Sequence, residues 1–386
     1  MIYCDNAATS WPKPEAVYQA MENFMRHIGA SPGRSGHRLS IESGRAVYEA
    51  REIIGRLFNL DDPLRVVFTK NATEALNLAI CGVLRHGDHV ITSSMEHNSV
   101  MRPLRFIEKE GISLTVLNCS SNGVLDPKNV EKAINKRTRL IVINHASNVV
   151  GTLQPADEIG AIARRHNILF CLDTAQTAGA YLIDMKAMNI DLLAFTGHKS
   201  LFGPPGTGGL CIAKGVEKFL SPIMRGGTGS ASESEYQPPF LPDKCESGTP
   251  NTVGLAGLTA GVAFVLTQGI ADIRLREQKL TSLLIEGLQN IPRVTLYGCR
   301  DAREQAAVIS FTIDGLSSAE VATKLDENYD IMCRPGLQCA PRAHQTLGTF
   351  PFGTVRLSPG YFTTDDDISI TLGAVAEIVN EFNKGG

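Results

Sequence analysis

The chain has 386 residues, 43% of them hydrophobic, and a formal net charge of −3 from 37 Lys+Arg against 40 Asp+Glu. It is long enough for two domains, or one large α/β domain with an appendage, and apolar enough for a full core. The charge balance excludes the basic footprint of a nucleic-acid-binding protein, and no apolar run has the length of a membrane span. Met1-Ile2-Tyr3-Cys4-Asp5 runs into polar sequence rather than a secretory leader, so the expected compartment is the cytoplasm.

In chain order, the segment DNAATS (5–10) shows no element of its own and is a candidate to cross to an active site. Short β-branched runs then predict strands at 65–69, 89–92, 113–117, 139–144, 168–172, 192–195 and 208–213. Helical patterns fall between them at 72–83, 99–110, 127–135 and 156–166. This alternation predicts an α/β fold, a mostly parallel sheet covered by helices on both faces. A Gly/Ser/Pro-rich stretch at 226–247 breaks the pattern, and a long helical stretch follows over about 252–290. The tail reads as α+β, with strands at 294–297, 307–313, 329–332 and 353–357 and helices at 318–327 and 364–382. The expected division is a large domain at 14–250 and a smaller one at 251–386 that also takes in 1–13.

Nine cysteines, an odd number, are scattered with no CxxC pair and no Cys/His zinc spacing, so neither a disulfide framework nor a metal site is expected. Most, such as Cys171 and Cys211, sit in apolar runs as small buried hydrophobes.

The chemistry concentrates where strands end. Lys199, in AFTGHKSLFGPPGTGGL, lies between an apolar run and a Gly/Pro-rich loop. A lysine held away from solvent loses preference for its charged form, so its amine can attack a carbonyl. Asp173 ends the preceding apolar run and can pair with a protonated pyridine nitrogen. A Schiff-base lysine and an acidic ring partner are the two groups a protein must supply to pyridoxal phosphate (PLP). A helix N-cap is the alternative for Asp173.

The junction Thr69-Lys70-Asn71-Ala72-Thr73-Glu74 joins a strand to a helix, where free N–H groups and the helix dipole can hold a phosphate. An ordinary N-cap by Asn71 or Thr73 is the alternative. Thr196 and His198 can complete such a phosphate cup. His97 can stack on a flat ring or relay a proton, or be a polar loop residue. Asn148 can bond a ring hydroxyl or a carboxylate, or simply turn the chain; Gln176 can reach the same ring oxygen. Arg356 offers a fork suited to a carboxylate, although an arginine on a strand is usually just solvated. Cys339 follows the 329–332 strand in a Gly/Pro-containing segment read as a surface loop, with Arg334, Arg342 and His344 within five residues. An electropositive, partly exposed setting favours a nucleophilic thiolate, and a half-buried loop cysteine is the alternative.

Taken together these residues resemble the class V aminotransferase-like, fold type I PLP enzymes, and within them the cysteine desulfurases and selenocysteine lyases of group II. The resemblance runs from DNAAT at 5–9 to VRLSPGYFTTDDDI at 355–368, through N-A-T-E, E-H-N-S, S-N-V-V-G, D-x-A-Q, T-G-H-K and R-x-G-x-x-C-A in one order. It implies Lys199 as the Schiff-base lysine and catalytic base, Asp173 on the pyridine nitrogen and Gln176 on the ring phenol oxygen. It implies His97 stacked on the ring, and Ala72, Thr73, Thr196 and His198 around the phosphate. Thr228, in RGGTGS, would reach the phosphate from the other subunit of a homodimer. Asn148 and Arg356 would hold the substrate carboxylate, with Arg334 and His37 as further pocket residues, and Cys339 would be the nucleophile. The implied substrates are L-cysteine or L-selenocysteine, and the implied recipient of sulfur is an acceptor protein or small thiol. Where group II chains commonly carry histidines just before the nucleophile, this chain has Leu337-Gln338. Another class V PLP enzyme, an aminotransferase or epimerase, would need Lys199 and Asp173 but not Cys339.

Overall fold

The computed structural model describes residues 1–33 and 36–385. Its centre is a seven-stranded sheet in the order Val66–Thr69, Gly208–Ile212, Leu192–Thr196, Leu169–Asp173, Thr138–Asn144, His89–Ser93, Ser113–Leu117. All pairings are parallel except the two made by Gly208–Ile212, which is antiparallel to both neighbours. The sequence pattern names this strand but not its direction. It follows Leu192–Thr196 by a short loop instead of a helix, and a connection of that kind can only return the chain antiparallel.

The strands read as unbroken apolar runs because both faces of the sheet are buried. Phe170, Leu172, Leu193 and Phe195 join one core cluster; their neighbours Cys171, Leu192 and Ala194 join the cluster on the other face. This is the two-residue alternation of a strand, with apolar residues required on both sides.

The helix Thr252–Gln268 packs its Leu255, Leu258, Val262 and Val265 into the first of those clusters. The expected single helix over 252–290 is in fact two, Thr252–Gln268 and Ile270–Gln289, bent by 82°. Gly269, at φ 88°, makes the break in a backbone region that favours glycine. No single helix among the described residues is long and apolar enough to cross a membrane.

Beyond the bend lies a four-stranded antiparallel sheet, in the order Arg334–Gly336, Thr354–Leu357, Ile309–Ile313, Val294–Tyr297. It has its own core, with Leu284, Leu288, Phe311, Leu325, Val355 and Val379 fully buried. Helix Ser318–Tyr329 begins with a reciprocal capping box between Ser317 and Glu320. The expected 329–332 strand starts later than the pattern suggests, because Tyr329 still belongs to that helix and Asp330, at φ 54°, turns the chain. Ile331–Met332 then pairs in parallel with Ile2–Tyr3, and Asp5 bridges to Ser358, so the chain start is tied to this second sheet. Helices Glu15–His27 and Arg38–Leu57 were not anticipated; only the two-residue strand Ile2–Tyr3 precedes them, and no strand separates them among the described residues to reveal an alternation.

Gly208 tests how tightly the sheet supports the helix that follows Asn71. A Cβ there would meet Asn71 Cα at 2.6 Å and Phe195 O at 2.8 Å, both backbone atoms. Gly208→Ala is expected to lower stability by about 1–3 kcal/mol, read as a drop in the thermal midpoint. An unchanged midpoint would contradict this packing.

Candidate active site

A cleft of about 300 Å³ opens at the carboxyl ends of the parallel strands, where ligands of such sheets bind. It is lined by Ala72, Thr73, His97, Asn148, Asp173, Gln176, Thr196, His198, Lys199, Arg334, Cys339 and Arg356. Residues expected from separate motifs thus meet in one place. Thr228 and His37 are not among them. Thr228 lies beside Met224 and Ile223 on another surface, and His37 is the exposed N-cap of Arg38–Leu57, its Nδ1 accepting from Ser40 N–H.

Each side chain is placed by the fold. Asp173 and Thr196 are the last residues of adjacent central strands. Asn71 caps helix Ala72–Val83 by accepting from Glu74 N–H at 3.0 Å, which settles the N-cap alternatives and contributes about 1 kcal/mol. The first N–H groups of that helix, at Ala72 and Thr73, stand at the cleft. Thr73 Oγ1 lies 2.6 Å from Ser99 Oγ, which lies 2.8 Å from His97 Nδ1. His97 Nδ1 also accepts from Ser99 N–H, so the neutral ring carries its proton on Nε2. Ser99 belongs to the quoted E-H-N-S motif but was not assigned a role from sequence.

The N-terminal segment does cross to the cleft, as its lack of local structure suggested. Ala7 and Ala8 line it. Thr9 Oγ1 and Lys13 Nζ donate to the carbonyl of His198, and Ser10 Oγ donates to that of Lys199, at 2.8–3.0 Å. The lysine is therefore anchored through its backbone.

The charges follow from burial. Lys199 is pushed down to about 8, first by desolvation and then by Arg356, with Asp173 opposing. Asp173 is raised by burial, opposed by the Ala175 N–H on its Oδ1 and by Lys199. Glu96, fully buried nearby, is pushed up to about 8 by burial. His97 falls to about 4 through burial and the cations Lys199, Arg334, Arg102 and Arg356; His198 falls to about 4 through burial, Lys199 and Lys13. Both imidazoles are neutral at ordinary pH.

Arg356 is 1% exposed, so the solvated reading fails. Its Nη2 meets Asp5 Oδ1 at 2.7 Å and its Nη1 meets Asn148 O at 2.9 Å, while Nε has no partner. Across the sheet Arg356 is registered directly against Arg334. Like charges in that position repel, which an anion between them would relieve. Asp5 was not singled out from sequence; only its place in the DNAAT motif pointed to it.

Cys339 is exposed at the cleft, with Arg334 Nη2 at 3.9 Å from its Sγ. The expected surface loop is shorter than supposed. Arg334–Gly336 is a strand and Pro341–Leu347 a helix, leaving only 337–340 between them. His344, expected near the thiol, is instead fully buried, facing Gln338 and Thr349.

These residues fit PLP. Thr196 Oγ1 is buried without a partner at the cleft, where a phosphate oxygen would supply one. The helix N-terminus suits the phosphate, buried Asp173 suits a ring N–H⁺, and Lys199 supplies the amine.

The chain belongs to the aminotransferase class-V family, whose model matches residues 2–370. The class is PLP-dependent, and PLP is the cofactor. The chain is 34% identical over 381 residues to a probable cysteine desulfurase of Methanothermobacter thermautotrophicus, covering 98% of this chain and 94% of that one. It is also 34% identical to a probable cysteine desulfurase of Pyrococcus abyssi, with 100% and 96% covered. The apo structure of a cysteine desulfurase from Thermococcus onnurineus superposes with a TM-score of 0.92 at 34% identity, covering 98% of this chain and 95% of the other.

The lowered Lys199 has a consequence for stability. Its folded value, about 8, lies below the ordinary 10.5, so between those pH values the unfolded chain binds more protons and stability rises with pH. Cofactor-free wild type should therefore gain roughly 1–3 kcal/mol relative to cofactor-free Lys199→Met from pH 8 to 10.5 in chemical denaturation. A difference that does not change with pH would contradict the buried-amine assignment.

Proposed function

We propose that this class-V enzyme is a cysteine desulfurase, converting L-cysteine to L-alanine and leaving the sulfur on Cys339 as a persulfide. The observation that carries this reading is a single cleft that joins Lys199 and Asp173 to an exposed cysteine beside an arginine. An aminotransferase or epimerase would have no use for that thiol.

The residues divide the work by their chemistry. Arg356 and Arg334 attract the substrate carboxylate, with Asn148 beside them. Ala72, Thr73, Thr196 and His198 would hold the phosphate, Asp173 the ring nitrogen, Gln176 the phenol oxygen, and His97 the ring face. When bound, PLP supplies an electron sink for charge developing at the substrate α-carbon. Lys199, whose amine is neutral above about pH 8, takes the α-proton at Nζ. The Cys339 thiolate attacks the substrate sulfur; an S–S bond forms as the substrate Cβ–S bond breaks. The electron pair stays with the carbon skeleton, which a proton completes as alanine, so no outside oxidant is needed.

The reading extends further. Selenocysteine should also react, because its C–Se bond is weaker. Thr228 lies outside this chain's own cleft, as a residue reaching a partner's phosphate would, which supports a homodimer. The surface that carries Thr228 is a hollow of about 570 Å³ lined by Val47, Phe68, Leu78, Ile223 and Met224, apolar enough to take a second copy. All nine cysteines are free, which supports a reducing compartment such as the cytoplasm. The two separate sheet cores support a division into a large and a smaller domain, near the expected 14–250 and 251–386 with 1–13, although helix Thr252–Gln268 packs into the first core. Sulfur would pass from Cys339 to a protein or small-thiol acceptor.

The test is alanine release by PLP-loaded protein from L-cysteine and L-selenocysteine in parallel, with Cys339→Ala beside wild type. Alanine from both substrates, with only the cysteine reaction lost in the variant, is the expected result. Full cysteine turnover by Cys339→Ala would remove the nucleophile assignment. Alanine from selenocysteine alone would make the protein a selenocysteine lyase, and alanine from neither would return it to the wider class.

A further inference from the structure

We infer that Gln338, with His344 behind it, is a positioning residue that fixes the backbone presenting Cys339 to the cleft. The inference rests on Cys339 being the nucleophile and deepens that reading.

Gln338 precedes an exposed cysteine yet is itself 4% exposed. Its Nε2 donates to Thr354 O at 3.0 Å and Arg334 O at 3.3 Å. Both are carbonyls, so the amide can only be oriented with its oxygen toward His344, whose Nε2 lies 2.8 Å away. An amide oxygen only accepts, so His344 carries its proton on Nε2 and accepts at Nδ1 from Thr349 Oγ1 at 2.7 Å. His344 is fully buried and held neutral, pushed down to about 4 chiefly by burial. The chain from Thr349 through His344 to Gln338 is thus fully satisfied, uncharged and of one polarity.

The backbone it supports needs such support. Gln338 and Cys339 have φ of 41° and 59°, consecutive non-glycine residues in the left-handed region. Each is a strained conformation that persists only where surroundings over-determine it. The surroundings do so. Asn148 Nδ2 donates to Gln338 O at 2.7 Å, and Asn98 N–H donates to Cys339 O at 2.8 Å. At the base of the loop Gly336 and Gly353 pack so closely that a Cβ on Gly353 would lie 2.3 Å from Gly336 backbone. The Gln338 side chain is the part of this clamp that spans from the loop to both strands beneath it. Without it the two strained residues can relax and carry Sγ away from the cleft.

Gln338→Met keeps the bulk and removes the hydrogen bonds; Thr349→Val cuts the chain at its far end with little change of shape. Gln338→Met is expected to lower kcat for alanine release from cysteine by about 10- to 100-fold, the effect of misplacing a reacting atom, with KM within about two-fold. In the cofactor-free protein, alkylation of Cys339 by iodoacetamide, read by peptide mass, is expected to speed up as the loop loosens. Thr349→Val should shift kcat and alkylation in the same directions by less. Unchanged kcat and alkylation in Gln338→Met would overturn the inference. So would a parallel loss of kcat, KM and thermal midpoint with alkylation unchanged, which describes a merely structural residue. If Gln338→Met fails to fold, Thr349→Val decides by the same two readouts. Retained cysteine turnover in Cys339→Ala would instead remove the underlying reading.

Discussion

A guanidinium that is 1% exposed must have its charge met inside the protein, and at Arg356 that requirement ties together four distant stretches of chain. Asp5 brings the N-terminal segment across to it. Asn148 brings the loop that follows a central parallel strand. Arg334 stands opposite on the neighbouring strand and leads directly to Cys339. The cleft lies where these meet, between the carboxyl ends of the large sheet's parallel strands and the small sheet. With Nε unpartnered and a second arginine alongside, the pair retains capacity for an incoming carboxylate after Asp5 has offset part of its charge.

Burial first, and that excess of cations second, set the state of the other groups. The histidines stay neutral, and the amine of Lys199 is brought within reach of neutral pH. Two carboxyl groups are buried close by. Glu96 rises to about 8 and so tends to neutrality, while Asp173 keeps a backbone N–H and the nearby lysine in favour of its anion. Both acids are raised by burial and both accept a backbone N–H; the difference between them is the Lys199 cation, which opposes the rise at Asp173.

Much of this was legible in the chain. Parallel strands buried on both faces leave only their ends for chemistry, so Asp173, Lys199, His97 and Asn148 could be read from their positions after apolar runs. What stayed hidden depends on contacts remote in sequence. Arg356 looks like any strand arginine until Asp5, over three hundred residues away, is seen to neutralise it. The direction of Gly208–Ile212 is set by a loop rather than by composition, and the bend at Gly269 by one backbone angle. Proximity in sequence also misled: His344, five residues from Cys339, turns into the core, and at Leu337-Gln338, where group II chains commonly carry histidines, the Gln338 side chain bonds to both strands beneath Cys339 and to His344.

The central claim is that sulfur leaves the substrate on Cys339. Its most direct test is to expose PLP-loaded protein to L-cysteine without an added thiol, digest it, and weigh the cysteine-containing peptides. The account predicts one extra sulfur atom on the peptide that carries Cys339, removed by a reducing thiol. Alanine formed with that peptide unmodified, or with the sulfur on another of the nine cysteines, would contradict it.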